Sequence, residues 1–255
     1  MSERLLAPVA RRVVGITALV ALGALVVVGL AVAPPDEVQG DAQRLMYLHV
    51  PAAWLAYLAF GVTALGSGLY LWPRTRSFVW DRVAGASAEL GVVFTGLTLL
   101  LGSLWGRPVW GVWWAWDARL VTTAVLFFLY IGYLALRRIP AAADVRAKRC
   151  AIAALIAFVD VPIVHFSVTW WRTLHQEATV FNPELDAQIE GAMAVALWIG
   201  VLAFTLLYVY LLDVRYRLEV LEEGRDEREL EAAIAARVGG GTEPRDAVER
   251  VGVGT

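Results

Sequence analysis

Apolar residues form six long runs along the chain, and short polar segments separate them. Each run is close to the roughly 20 helical residues that cross a bilayer. Apolar and polar positions do not alternate inside the runs, and a helix satisfies its own backbone groups in lipid. The sequence therefore predicts an all-α integral membrane protein with six transmembrane helices, near residues 13–33, 51–72, 84–104, 119–136, 150–168 and 192–212.

The first run has two interpretations. Basic residues precede it, and Ala31 and Ala33 at its end form an A-x-A site of the kind that signal peptidase cleaves. Its apolar core is longer than the roughly 7–15 residues of a signal peptide. We expect a retained helix; cleavage, the alternative, would leave the orientation of the other spans unchanged.

Composition supports the membrane assignment. The chain is 59% hydrophobic and 18% charged, whereas soluble domains average roughly 45–50% apolar and about 25% charged residues. The net charge of −2 gives no reason to expect nucleic acid as a partner. The single cysteine, Cys150, excludes an internal disulfide and the C-x-x-C-H signature of covalent haem attachment.

Lysine and arginine fall mainly on one side of the predicted membrane. Eighteen lie in the two termini and the loops on that side, and four lie in the alternate loops. Basic residues are enriched on the cytoplasmic side, so both termini are predicted to be cytoplasmic (N-in/C-in). We expect a membrane domain over residues 1–212 and a charged cytoplasmic tail over 213–255, helical at first and then disordered.

The predicted outer side collects tryptophan and histidine. Five tryptophans lie within residues 105–117, and all three histidines of the chain, His49, His165 and His175, fall on the same side. Single indoles at helix ends commonly anchor a protein at the interface, and a lone histidine there is commonly solvated. So many tryptophans in one stretch, with histidines on the same side, instead favour a binding surface for a large, flat, apolar ligand that contains a metal. Haem has this chemistry, because its iron accepts histidine.

Three segments in this order resemble a known family. "YLHVPAAW", "WGRPVWGVWWAWDARL" and "HFSVTWWRTLHQ" are similar to the motifs of the haem exporter C (CcmC) family of cytochrome c biogenesis, which belongs to the tryptophan-rich WWD superfamily of haem-handling proteins. The resemblance covers roughly residues 40–210. It implies a protein of the bacterial inner membrane that is not an enzyme. Such a protein holds haem b at the periplasmic face and delivers it to a haem chaperone.

The resemblance also implies partners and residue roles. The partners are the ATP-binding-cassette subunits A and B of cytochrome c maturation, the small membrane protein D and the haem chaperone E. The histidines that flank the tryptophan stretch would be the axial iron ligands, and they match His49 and His165. The tryptophans would form the haem platform: Trp105, Trp110, Trp113, Trp114 and Trp116.

Other residues of this side have more than one interpretation. Asp117 opens span four, where aspartate is a favoured N-cap, and it also ends the family signature. Arg119 and Arg172, like Arg44 and Arg107, are available to pair with the haem propionates. His175 is a weaker ligand candidate. The glycines and proline in "WGRPVWG" are expected to bend the loop.

Two acidic residues lie inside predicted spans. Asp160 is expected either to bond to backbone groups freed by Pro162 or to support the haem site. Glu89 is expected to reach the cytoplasmic interface.

Two other functions remain open from the sequence. A cytochrome b-type electron-transfer subunit would use a bis-histidine haem, but such proteins usually place the histidines inside the spans. A channel or permease would need more polar groups within the spans than this chain has. The longer haem ligase that shares the tryptophan signature needs more spans than 255 residues supply.

Overall fold

The computed structural model describes residues 5–175, 189 and 191–240. Within these ranges the regular structure is helical, apart from one isolated bridge between Asp36 and Gly40. The helices are α1 Pro8–Val27, α2 Met46–Leu71, α3 Phe78–Trp110, α4 Ala118–Arg138, α5 Ala143–Phe158, α6 Asp160–Trp170 and α7 Gly191–Gly240. A π-helical turn, Val28–Val32, continues α1, and a 3₁₀ turn, Asp41–Leu45, precedes α2.

The prediction of six membrane-spanning helices is confirmed. The helical stretches that are long and apolar enough to cross a bilayer are Pro8–Val32, Asp41–Leu71, Phe78–Trp110, Ala118–Arg138, Ala143–Trp170 and Gly191–Arg237. Each covers one predicted span to within a residue at either end. Most are longer than predicted because polar residues extend them beyond the apolar core. Ser77, for example, caps α3 by accepting a hydrogen bond from the Val79 N–H.

Helices α2, α3, α4 and α5 form a four-helix bundle. α2 packs against α3 and α5, and α4 packs against α3 and α5; α7 lies against α2 and α3, and α1 covers α7. Phe60 stacks on Tyr130 with 3.8 Å between ring centroids. Gly91 makes room for Phe60, because a Cβ at position 91 would lie 2.3 Å from the Phe60 ring. Small residues allow close helix packing in membranes, as here.

The fifth span is interrupted between α5 and α6. Pro162 has no N–H to donate to the carbonyl of Phe158. Just before it, the Val159 N–H bonds to the carbonyl of Ile156, three residues back, at 3.2 Å, so the regular α-helical pattern is broken here. Beyond the interruption, α6 packs against α4, whereas α5 packs against both α2 and α4. The second half of this span therefore diverges from α2.

The bundle has two different ends. We call the end with the loops at 33–40, 111–117 and 171–175 the tryptophan end, and the end with the loops at 72–77 and 139–142 the arginine end. At the arginine end, Arg137 bonds to Asp81 at 2.8 Å and to Glu219 at 2.5 Å. The Glu219 contact joins α7 to the bundle.

The predicted boundary of the membrane domain, at residue 212, lies inside α7. The helix continues without interruption to Gly240, and Asp213 and Tyr216, just past the boundary, are 1% exposed. The predicted disordered end of the tail falls largely at 241–255, outside the described residues.

Candidate functional site

A cavity of about 620 Å³ lies at the tryptophan end, between α2, α3, α4 and α6, and α7 contributes Val201 to its wall. Its volume is within the roughly 300–1,000 Å³ of cofactor and small-molecule sites. All three histidines line it, together with Trp105 and Trp110. Residues that are far apart in the sequence therefore meet at one site.

His49 lies in the first turn of α2 and packs into the cavity wall. Its ring lies edge-on to Trp105 with 5.8 Å between centroids. It also lies against Gly102, where a Cβ would come within 2.9 Å of His49 Cε1. Among the described residues, the buried Nδ1 of His49 has no well-formed hydrogen bond, although the Thr98 backbone lies close enough to interact with the imidazole. A buried polar atom without a partner is uncommon, and a neutral imidazole nitrogen is a common metal ligand.

His175 faces His49 across the cavity. The two ring centroids are 6.4 Å apart and the ring planes are inclined by 36°. His175 also meets Trp110 at 6.4 Å. The structure therefore pairs His49 with the histidine that the sequence made the weaker candidate.

Asp117 holds the chain segment that carries His175. Its Oδ1 accepts a hydrogen bond from the Arg119 N–H at 2.8 Å, which caps α4. Its Oδ2 accepts from the Thr173 hydroxyl at 2.5 Å and the Leu174 N–H at 2.6 Å. Burial raises the pKa of Asp117, but the hydrogen bonds from Thr173, Leu174 and Arg119 outweigh burial and leave the pKa below its ordinary value.

His165 lines the same cavity from α6. Its ring contacts Tyr57 edge-on, with 6.4 Å between centroids, and Phe166 at 4.9 Å. Arg119 fixes the backbone here, because its guanidinium donates to the carbonyls of Val164 and His165 at 3.0 and 2.9 Å.

The predicted tryptophan platform divides into two groups. Trp105 and Trp110 line the cavity. Trp113, Trp114 and Trp116 lie outside the lining, and they are 58%, 37% and 87% exposed. We call these three the rim tryptophans.

The four arginines proposed from the sequence as partners of the haem propionates do not all lie at the cavity. Arg119 lines the cavity. Arg44 donates to the carbonyls of Gly29 and Ala33, and Arg107 donates to the carbonyl of Gly111. Arg172 is exposed outside the cavity lining.

The expected bend in "WGRPVWG" is wrong at its first two positions. α3 continues through Gly106 and Pro108 to Trp110. Only Gly111 turns the chain, with a left-handed φ of 78°. Gly106 serves packing instead, because a Cβ there would lie 2.9 Å from the Trp110 ring.

The two acids of the spans have different surroundings. Asp160 is buried, and its Oδ2 has no hydrogen-bond partner among residues that the structure describes. Glu89 pairs with Arg215 at 2.6 Å and is partly exposed.

Two residues of the cavity wall were not predicted from the sequence. Tyr57 lies two turns beyond His49 on the same face of α2, so the eight-residue spacing could have identified it. Gln39 accepts a hydrogen bond from Trp105 Nε1 at 2.8 Å. Asp36 positions Gln39 by accepting from the Val38 and Gln39 N–H groups, and no spacing rule predicts that contact.

Comparison with known proteins agrees with this architecture. The profile of the family described as Heme exporter protein C matches residues 2–231. The chain belongs to this family. It is 41% identical over 206 residues to Heme exporter protein C of Haemophilus influenzae, covering 80% of this chain and 82% of that protein.

Two further relatives extend the comparison. Heme exporter protein C of Bradyrhizobium diazoefficiens is 38% identical over 238 residues, which is 89% of this chain and 88% of that protein. A putative cytochrome c biosynthesis ccmC-like mitochondrial protein of Arabidopsis thaliana is 39% identical over 151 residues, 59% of this chain and 56% of that protein. Family membership identifies a multi-pass membrane component and not an enzyme.

Proposed function

We propose that this protein binds haem b non-covalently in the cavity at the tryptophan end and delivers it for the assembly of c-type cytochromes. The facing imidazoles of His49 and His175 carry the proposal. The apolar cavity wall suits the porphyrin ring, and haem iron accepts histidine. The family name, Heme exporter protein C, supports the same cargo.

The separation of the two rings fits one metal ion between them. Two imidazoles on opposite sides of a metal, each with a metal–nitrogen bond of about 2 Å, have centroids about 6 Å apart. His49 and His175 are 6.4 Å apart. We therefore assign them as the axial ligands. His165, predicted from the sequence, stays the alternative ligand because it lines the same cavity.

Arg119 is the group that would hold a propionate. Its bonds to the carbonyls of Val164 and His165 both come from one guanidinium nitrogen, and a guanidinium carries five N–H donors. A charge-assisted pair with a carboxylate would satisfy donors that remain. The exposed Arg172 would serve the second propionate as it enters or leaves.

The rim tryptophans would act in the transfer of haem out of the cavity. They are exposed beside the cavity, where an aromatic surface can cover a haem edge as the ring moves out. Trp105 and Trp110 would contact the ring inside the cavity.

The arginine end is proposed to be cytoplasmic and the tryptophan end periplasmic. The short loops and the N-terminus on the first side carry 11 lysines and arginines, against four on the other. The protein would therefore present haem at the periplasmic face of the inner membrane. Its proposed partners are the cassette proteins A and B of cytochrome c maturation, the small membrane protein D and the haem chaperone E.

A complementation assay tests this function. The protein is expressed in a bacterium that lacks its own Heme exporter protein C, and c-type cytochromes are detected by haem staining. We expect the wild type to restore them, and His49→Ala to lower them by about tenfold or more, because changing even the groups that orient a metal ligand typically costs that much. Val38→Ala is the matched control, because Val38 is 93% exposed in the neighbouring loop. Failure of the wild type at normal membrane abundance would contradict the proposal.

A further inference from the structure

The helices of the bundle pack more closely at one depth than at another. Toward the arginine end, α5 closes the ring of helices by packing against both α2 and α4. Toward the tryptophan end, α6 packs against α4 and, over the described part of the chain, has no comparable packing with α2. At the depth of the cavity, α2 and α6 therefore leave a seam that side chains bridge, as in the edge-on contact between Tyr57 and His165.

The cavity extends toward the lipid-facing surface on the α2 side. Val50 and Trp54 of α2 and Val201 of α7 belong to its lining. Their neighbours on α7, Trp198 and Leu202, are 51% and 55% exposed on a helix that spans the membrane. These neighbours therefore face lipid.

The walls of the seam suit a flat apolar molecule. Ala53 and Tyr57 lie on the α2 side, and Val161 and His165 lie on the α6 side. Ala53 presents only a methyl group. The route from water at the tryptophan end also carries side-chain contacts, the Gln39–Trp105 hydrogen bond and the Trp110–His175 contact.

We infer that haem enters the cavity sideways from the bilayer through the seam between α2 and α6. The inference rests on the proposed function and adds a route to it. The porphyrin ring favours lipid over water, so the bilayer supplies a higher local concentration than the aqueous phase. Arg119, which lines the cavity, offers a positive charge to the propionates as the ring arrives.

A cross-link across the seam tests whether the seam is an entrance for haem or part of the binding site. Cysteines replace Ala53 and Val161 in a Cys150→Ala background, and a flexible bis-maleimide bridges them in detergent. The bridged protein is reconstituted into vesicles, haem is added to the bilayer, and the change in haem absorption gives the uptake rate. The two single-cysteine variants, treated with the same reagent, are the matched controls.

We expect bridging before haem addition to slow uptake by about tenfold or more, as a blocked gate would. Bridging after loading should leave the spectrum of bound haem unchanged. Uptake at the control rate would overturn the inference and favour entry over the tryptophan end. Loss of haem from the loaded, bridged protein would also overturn it, because the pair would then belong to the site. Absence of haem binding in the unbridged protein would instead refute the proposed function.

Discussion

The imidazole of His49 lies 6.4 Å from that of His175, although α3 to α6 lie between them in the chain. Different contacts position each imidazole. His49 is fixed in α2 against Trp105 and Gly102. His175 follows a helix end and is positioned by the hydrogen bonds of Asp117 to Thr173 and Leu174. The pair therefore depends on two independent supports, and each can be tested alone.

Asp117 should make stability depend on acid pH. Its folded-state pKa lies below the ordinary value, which is about 3.9 in an unfolded chain. The carboxylate therefore stabilises the fold fully above the unfolded pKa, and this contribution is lost as pH falls through the folded pKa. Between about pH 6 and pH 3, Tm should fall more steeply for the wild type than for Asp117→Asn. Thermal unfolding in detergent measures this, and parallel slopes would contradict it.

Gly102 should be required for the position of His49. A Cβ at residue 102 would lie 2.9 Å from His49 Cε1, so Gly102→Ala should displace the imidazole. Haem affinity should fall by about tenfold, as it does when groups that orient a ligand are changed. Gly96→Ala is the matched control on the same helix, because its Cβ would meet Phe127 at an ordinary 3.4 Å. Equal haem titrations for both variants would refute the role.

Arg137 should hold the arginine end together. Its partner Asp81 has a side chain that is 3% exposed, and removal of one member of a buried pair typically costs about 3–5 kcal/mol. We expect Arg137→Leu to lower the free energy of unfolding by about that amount. Adding Asp81→Leu should recover part of the loss, since Glu219, whose side chain is 18% exposed, is then the member of this cluster that has lost Arg137. A double variant that is less stable than the single one would contradict this account.

The rim tryptophans should affect transfer more than binding. Replacing both Trp114 and Trp116 with alanine should lower c-type cytochrome formation, while purified protein still binds haem, because neither residue lines the cavity. Trp105→Ala should instead weaken binding, because Trp105 packs against His49. Unchanged cytochrome levels at equal membrane abundance would show that the two rim indoles are interface anchors.

The sequence predicted the spans well because long apolar runs have few other solutions in lipid. It also predicted that Asp117 is an N-cap, which is a local property of the residue before a helix. It ranked His165 above His175 as a ligand, which is the reverse of the order that we propose from the structure. That order depends on the interruption before Pro162 and on the Asp117–Thr173 contact, which joins residues 56 positions apart. The sequence also could not show which tryptophans line the cavity and which are exposed, because that depends on α3 continuing to Trp110 and on the chain turning only at Gly111.

The absorption spectrum of purified, haem-loaded protein tests the central claim most directly, with the variants His49→Ala, His165→Ala and His175→Ala beside it. We expect a low-spin, six-coordinate b-type spectrum in the wild type and in His165→Ala. We expect loss of that spectrum, or conversion to a high-spin one, in His49→Ala and His175→Ala. An unchanged low-spin spectrum in His175→Ala, with its loss in His165→Ala, would contradict the assignment and restore His165 as the ligand opposite His49.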